Sequence, residues 1–141
     1  MKLVDADVVL RFLAGEGSEL DDKAHALLDS LDQTGETLIL LHCVVFEVIY
    51  TLEKYYQAPR SKVADIMRQF IESPSLHVPR RHNILLALEK YAVSHFDLVD
   101  CYLAAEVELS SVEGIYSFDQ EFDAMGVPRF EPGAKPGRSR G

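Results

Sequence analysis

Lys2-Leu3-Val4-Asp5-Ala6-Asp7-Val8-Val9-Leu10-Arg11-Phe12-Leu13 changes its period halfway along. Residues 2–4 are a short apolar run, whereas Val8, Val9, Leu10, Phe12 and Leu13 recur at helical spacing. The stretch predicts a strand that feeds directly into a helix, with Asp5 at the strand's C-terminal end and Asp7 available as the helix N-cap. The same alternation continues downstream. After Gly15-Glu16-Gly17-Ser18, residues 21–33 form an amphipathic helix with Ala24, Leu27, Leu28 and Leu31 on one face. Residues 37–41 are a fully apolar strand, and from Cys43 to about Tyr56 the apolar residues continue too long for a strand, which predicts a helix. A helix over 62–72, capped by Ser61, stops before Ser73-Pro74, and a short strand at 76–78 follows.

The second half repeats the pattern. Residues 81–94 predict a helix with Ile84, Leu85, Leu88 and Tyr91 inward, and residues 98 to about 110 another with Tyr102, Ala105 and Leu109 on one side. A strand candidate at 114–117, a helical turn at 120–125 and an extended piece at 126–130 complete the series. Short strands separated by helices imply an α/β fold with a mainly parallel sheet covered on both faces. The length of 141 residues, 48% hydrophobic and 26% charged, suits one domain over residues 1–130. Residues 131–141 are rich in Pro, Gly and basic residues and read as a disordered tail.

Composition excludes several classes. Cys43 and Cys101 lie far apart in apolar runs, so neither a disulfide framework nor a Cys-rich zinc site can be built from them. His42, His82 and His95 match no metal-pair spacing, and no phosphate-binding Gly-rich loop or nucleophile elbow occurs. The longest apolar stretch, 38–46, is too short for a membrane span, and Asp5 and Asp7 interrupt the place where a signal peptide needs its apolar core. A cytoplasmic protein without membrane association is the expectation. The net charge of −9 opposes non-specific binding to nucleic acid. That charge is uneven, however: residues 54–90 hold seven bases against three acids and offer Arg60, Lys62, Arg68, Arg80 and Arg81 for phosphate contact, as does the tail with Arg138 and Arg140.

The acids then decide the chemistry. Asp5 and Asp119 both fall just beyond strand ends, where ligands of open parallel sheets bind. Glu47 interrupts the apolar run Val44-Val45-Phe46 and Val48-Ile49-Tyr50. Burial there would require a partner or a raised pKa; its helical angle also fits partial exposure at the edge of the apolar arc. Asp97 and Asp100 are spaced i, i+3 at a helix start, and an N-cap and a first-turn acid would account for them equally well. Asp119 could likewise cap the turn at Gln120. Taken together, three or four carboxylates at one sheet edge would repel one another without a divalent cation, and oxygen-only ligation suits Mg²⁺ or Mn²⁺.

Four segments resemble the PIN-domain nucleases, and among them the VapC-like toxins of bacterial and archaeal toxin–antitoxin pairs. Val4-Asp5-Ala6-Asp7-Val8-Val9 is similar to the family's opening strand and first aspartate, with Asp7 where Asn is usual. Val45-Phe46-Glu47-Val48-Ile49-Tyr50 is similar to its second-acid helix, Phe96-Asp97-Leu98-Val99-Asp100-Cys101-Tyr102 to its third-acid segment, and Tyr116-Ser117-Phe118-Asp119 to its final Ser/Thr-x-Asp segment. The resemblance spans residues 1 to about 130. It implies a three-layer α/β/α fold with a central sheet of about four to five strands, and a Mg²⁺- or Mn²⁺-dependent endoribonuclease. Asp5, Asp100 and Asp119 would be metal ligands, and Glu47 a ligand or water-orienting base, with Asp97 and Asp7 supporting them. Ser117 would hold a site carboxylate, although an ordinary strand-end hydroxyl explains it as well. An RNA substrate, an antitoxin partner and a homodimer built on the apolar helices of residues 43–72 follow from the same resemblance. A catalytically inactive RNA- or protein-binding module of the same fold is the alternative. A phosphoacceptor domain of the receiver type also places acids at strand ends, but the segment around Asp119 lacks the lysine that chemistry needs.

Overall fold

A computed structural model describes residues 1–133; most of the expected disordered tail, residues 134–141, lies outside the described residues. The chain forms two compact units, Met1–Arg81 and His82–Gly141. The first contains β1 (Lys2–Leu3), α1 (Ala6–Ala14), α2 (Glu19–Thr34), β2 (Leu38–Ile39), α3 (His42–Lys54), α4 (Arg60–Ile71) and β3 (Leu76–His77). Its strands form a parallel sheet in the order β1-β2-β3, with Lys2 opposite Leu38 and Leu38 opposite Leu76. The backbone bonds Val4 N to Ile39 O (3.2 Å) and Leu40 N to His77 O (2.9 Å) carry the pairing beyond the strand ends. Val4, Leu38, Leu40, Leu76 and Val78 are buried, as are Val9 of α1, Val45, Val48, Ile49 and Leu52 of α3, and Val63, Met67 and Ile71 of α4.

The turn from α1 to α2 is held by one buried carboxylate. Ser18 caps α2 in a capping box with Asp21, so the helix begins before residue 21. The Asp21 carboxylate accepts from the backbone N–H groups of Glu16 (3.0 Å) and Ser18 (3.1 Å) and from Arg11 Nη1 (3.0 Å). Gly15 is required beneath it, because a Cβ there would lie 2.3 Å from the Arg11 carbonyl oxygen and 2.6 Å from Asp21 Cγ. The Ser18 backbone bond, helped by the Ser18 hydroxyl, Arg11 and Glu16, lowers the Asp21 pKa to about 2. Unfolding returns this group to the ordinary carboxylate value of about 3.9. The unfolded chain then takes up the proton first, so the stability Asp21 confers is complete above about pH 4 and is lost as pH falls towards 2. In circular-dichroism melts, Asp21→Asn is expected to be less stable than wild type at neutral pH and to lose less stability across that acid window. Equal acid slopes would remove Asp21 as the source.

The second unit contains α5 (Arg81–Ala92), α6 (Leu98–Leu109), β4 (Ile115–Tyr116), α7 (Glu121–Ala124) and β5 (Arg129–Phe130). β4 and β5 pair in parallel, Ile115 opposite Arg129 and Tyr116 opposite Phe130. Gly114 lets the strands approach, since a Cβ there would meet the Pro128 carbonyl oxygen at 2.2 Å. Phe122 of α7 packs with Ala104 and Val127 in a buried cluster flanked by Val107, Ile115 and Met125. This seats the short α7 between the two strands in sequence. The α/β class and the parallel pairing thus match expectation, but the strands are hydrogen-bonded as a sheet of three and a sheet of two.

Three local expectations are corrected. Asp5, not Asp7, is the N-cap of α1: its Oδ1 accepts from Val8 N at 3.0 Å. Asp7 instead forms an i,i+4 ion pair with Arg11 at 3.1 Å. Pro59 occupies the N-cap position of α4, which places Ser61 inside the helix; a proline just before a helix leaves no orphan N–H of its own. In α6 the buried side is Cys101, Ala104 and Ala105, whereas Leu109 is exposed. Small residues there permit close approach, and the helix has too little amphipathicity for periodicity to identify its inner face.

Candidate metal centre

The second unit gathers carboxylates from separate segments. Asp100 lies in the first turn of α6, Asp119 follows β4, and Glu121 opens α7. One carboxylate oxygen from each lies within 4.8 Å of the others. Asp100 is half-buried, and Asp119 and Glu121 are exposed. Burial pushes the Asp100 carboxyl above its ordinary pKa, and the charges of Asp97, Asp119 and Glu121 push it further. Asp97 occupies the N-cap position of α6 but makes no side-chain cap bond; its effect on Asp100 is through charge.

Local hydrogen bonds shape the Asp119 segment. Ser117 Oγ accepts from Asp119 N (2.9 Å), and Asp119 Oδ1 accepts from Glu121 N (2.9 Å). The serine hydroxyl therefore orients the backbone of Asp119, and Asp119 caps the first turn of α7 while presenting its carboxylate to the cluster. His95 Nε2 stands 3.7 Å from Glu121 Oε1. The donor set is oxygen-only, and its mutual repulsion is of the kind a hard divalent cation relieves. On both counts these residues fit Mg²⁺ or Mn²⁺.

Asp100 and Asp119 were legible from spacing; Glu121 was not singled out, because an acid in a helix's first turn has a sufficient local explanation. Asp5 and Glu47 belong to the first unit. Asp5 is exposed and engaged at the N-terminus of α1. Glu47 is exposed on α3 while its neighbours Val45, Val48 and Ile49 are buried, so of its two sequence readings the exposed one holds. The basic residues of 54–90 are partly engaged already: Arg60 pairs with Glu53, Arg68 with Asp65, and Arg81 donates to the Leu76 carbonyl. No helix of the described residues is long and apolar enough to cross a membrane.

A VapC ribonuclease from Aquifex aeolicus (strain VF5) is 25% identical over 132 residues, covering 94% of this chain and 97% of the relative. No solved structure matches. The PIN domain matches residues 2–128, a span that includes Asp5, Glu47, Asp100, Asp119 and Glu121, and the chain therefore belongs to the PIN-domain family.

Proposed function

We propose that the protein is a Mg²⁺- or Mn²⁺-dependent endoribonuclease, the toxin of a toxin–antitoxin pair. The observation that carries the reading is the cluster of Asp100, Asp119 and Glu121 in a chain similar along nearly its whole length to a ribonuclease. Asp100 and Asp119 hold the ion, and Asp5 joins them by its motif position. Glu121, which shares the cluster, is a further ligand. Glu47 is a ligand or the base that orients the attacking water, and Asp97 and Asp7 shape the field around the ligands. Ser117 fixes the peptide of Asp119 through its hydroxyl. A divalent ion supplies activation of water and neutralisation of charge on the phosphate during phosphodiester hydrolysis.

The partners are those the family resemblance implies, and the surface chemistry is compatible with them. Lys62 and the tail residues Arg138 and Arg140 are suited to the RNA backbone. The acidic centre suits an Arg-bearing segment of an antitoxin. Tyr50, Tyr55 and Tyr56 are exposed on and just after α3, a surface suited to a homodimer. The cytoplasm is the compartment in which such a toxin meets RNA.

The test is incubation of purified, antitoxin-free protein with a mixed RNA pool. Endonucleolytic cleavage is expected with Mg²⁺ or Mn²⁺ and is expected to stop with EDTA. Cleavage that persists in EDTA would overturn the metal-dependent reading.

A further inference from the structure

Arg129 is the lone base among eight acids in residues 91–130, and it is 1% exposed. A buried guanidinium must be paired and hydrogen-bonded, and this one is. Its Nε and Nη2 form a two-pronged contact with the Asp123 carboxylate at 3.0 and 3.1 Å. Its Nη1 donates to the Ser117 carbonyl at 3.0 Å and to Glu131 Oε1 at 3.0 Å. Ser117 and Asp123 are the two ends of the segment that carries Asp119 and Glu121. The pair Arg129–Glu131 lies outside that segment, on and just after β5.

We infer that Arg129 is a positioning residue for the acidic centre, holding the two ends of the 117–123 segment at a fixed separation and thereby setting how Asp119 and Glu121 face Asp100. This rests on the metal-centre reading above. The interior of the segment is held by short-range bonds, from Asp119 N to Ser117 Oγ and from Glu121 N to Asp119 Oδ1. Those bonds fix local turns but not the distance from strand end to helix. The planar fork of an arginine spans both anchors at once, a geometry that lysine, with a single ammonium, cannot reproduce.

The experiment measures Mn²⁺ affinity, from the electron paramagnetic resonance signal of free Mn²⁺, alongside thermal melts of the full chain. The variants are Arg129→Lys, Asp123→Asn, Glu131→Gln and Asp119→Asn. Arg129→Lys and Asp123→Asn are expected to fold and to weaken Mn²⁺ binding by about ten-fold, the scale of an outer-shell loss. Saturating Mn²⁺ is expected to restore RNA cleavage by both. Glu131→Gln removes the charge from a contact outside the segment and is expected to leave Mn²⁺ affinity within about two-fold of wild type. A purely structural Arg129 would give lower melting temperatures with unchanged Mn²⁺ affinity in the folded variants, and that result overturns the inference. If Arg129→Lys does not fold, Asp123→Asn decides, since it breaks the same fork from the half-exposed side. Loss of binding in Asp119→Asn with wild-type affinity in the arginine-fork variants would sink the positioning role alone. A wild-type chain that binds no Mn²⁺ would sink the metal centre and the positioning role together.

Discussion

Asp100→Asn is expected to lower RNA cleavage by about three orders of magnitude and, at neutral pH and without metal, to raise the melting temperature. The loss follows from removing a charged ligand: metal stabilisation of the transition state is worth several kcal/mol, and about 4 kcal/mol corresponds to a thousand-fold. The gain follows from the cluster itself. Asp100 is pushed above its ordinary pKa by burial and by Asp97, Asp119 and Glu121, so ionising it opposes folding. Between the unfolded and the higher folded pKa the native state holds more protons, and stability falls as pH rises through that interval. Asparagine removes the ionisation and its penalty. Opposite signs in the two assays separate this outcome from misfolding, which would lower both. Cleavage within ten-fold of wild type would remove Asp100 from the centre, and a folded metal-free variant that melts lower would remove the ionisation penalty assigned to it. In the wild type, protons compete with the cation for this carboxylate, so metal affinity is expected to fall on acidification through the Asp100 pKa.

Two residues of the candidate centre are legible in the sequence because they sit at local landmarks. Asp100 lies three residues after an acid that starts a helix, and Asp119 follows a short apolar strand. The strands were identifiable as apolar runs, yet their paired lengths and their division into sheets of three and two depend on partners distant in sequence. The inner face of α6 was misread because Cys101, Ala104 and Ala105 are small, while the bulkier Leu109 is solvent-facing. The role of Arg129 is not legible in the sequence for a related reason. A lone arginine in an extended segment is ordinarily exposed, and its burial depends on Ser117 and Asp123, which only the fold brings to it. Glu121 needed the same non-local information, because its proximity to Asp100 joins separate helices.

Mn²⁺ at about one hundred times its dissociation constant is expected to stabilise the chain by about 2.7 kcal/mol, a melting-temperature rise of roughly 5–10 °C for a protein of this size. On the proposed reading the rise comes from linkage alone, since the ion would bind the assembled carboxylates of the native state and find no such cluster in the unfolded chain. Its dependence on individual residues identifies the ligands. Asp119→Asn and Glu121→Gln each replace an anionic oxygen donor of the cluster with a neutral amide and are expected to lose most of the shift at the same Mn²⁺ concentration. Asp5→Asn is expected to reduce it as well, because its motif position assigns it to the same ligand set; its metal-free baseline is expected to stay close to wild type, since Asp5 also caps α1 and asparagine caps as well as aspartate. Asp21→Asn provides the control: it weakens the fold in the first unit without touching a proposed ligand, and its Mn²⁺-induced rise should equal that of the wild type. A uniform rise in all variants would show that the cation acts by screening the net charge of −9. Such screening would require no defined ligand set, and the metal centre would then have to be abandoned.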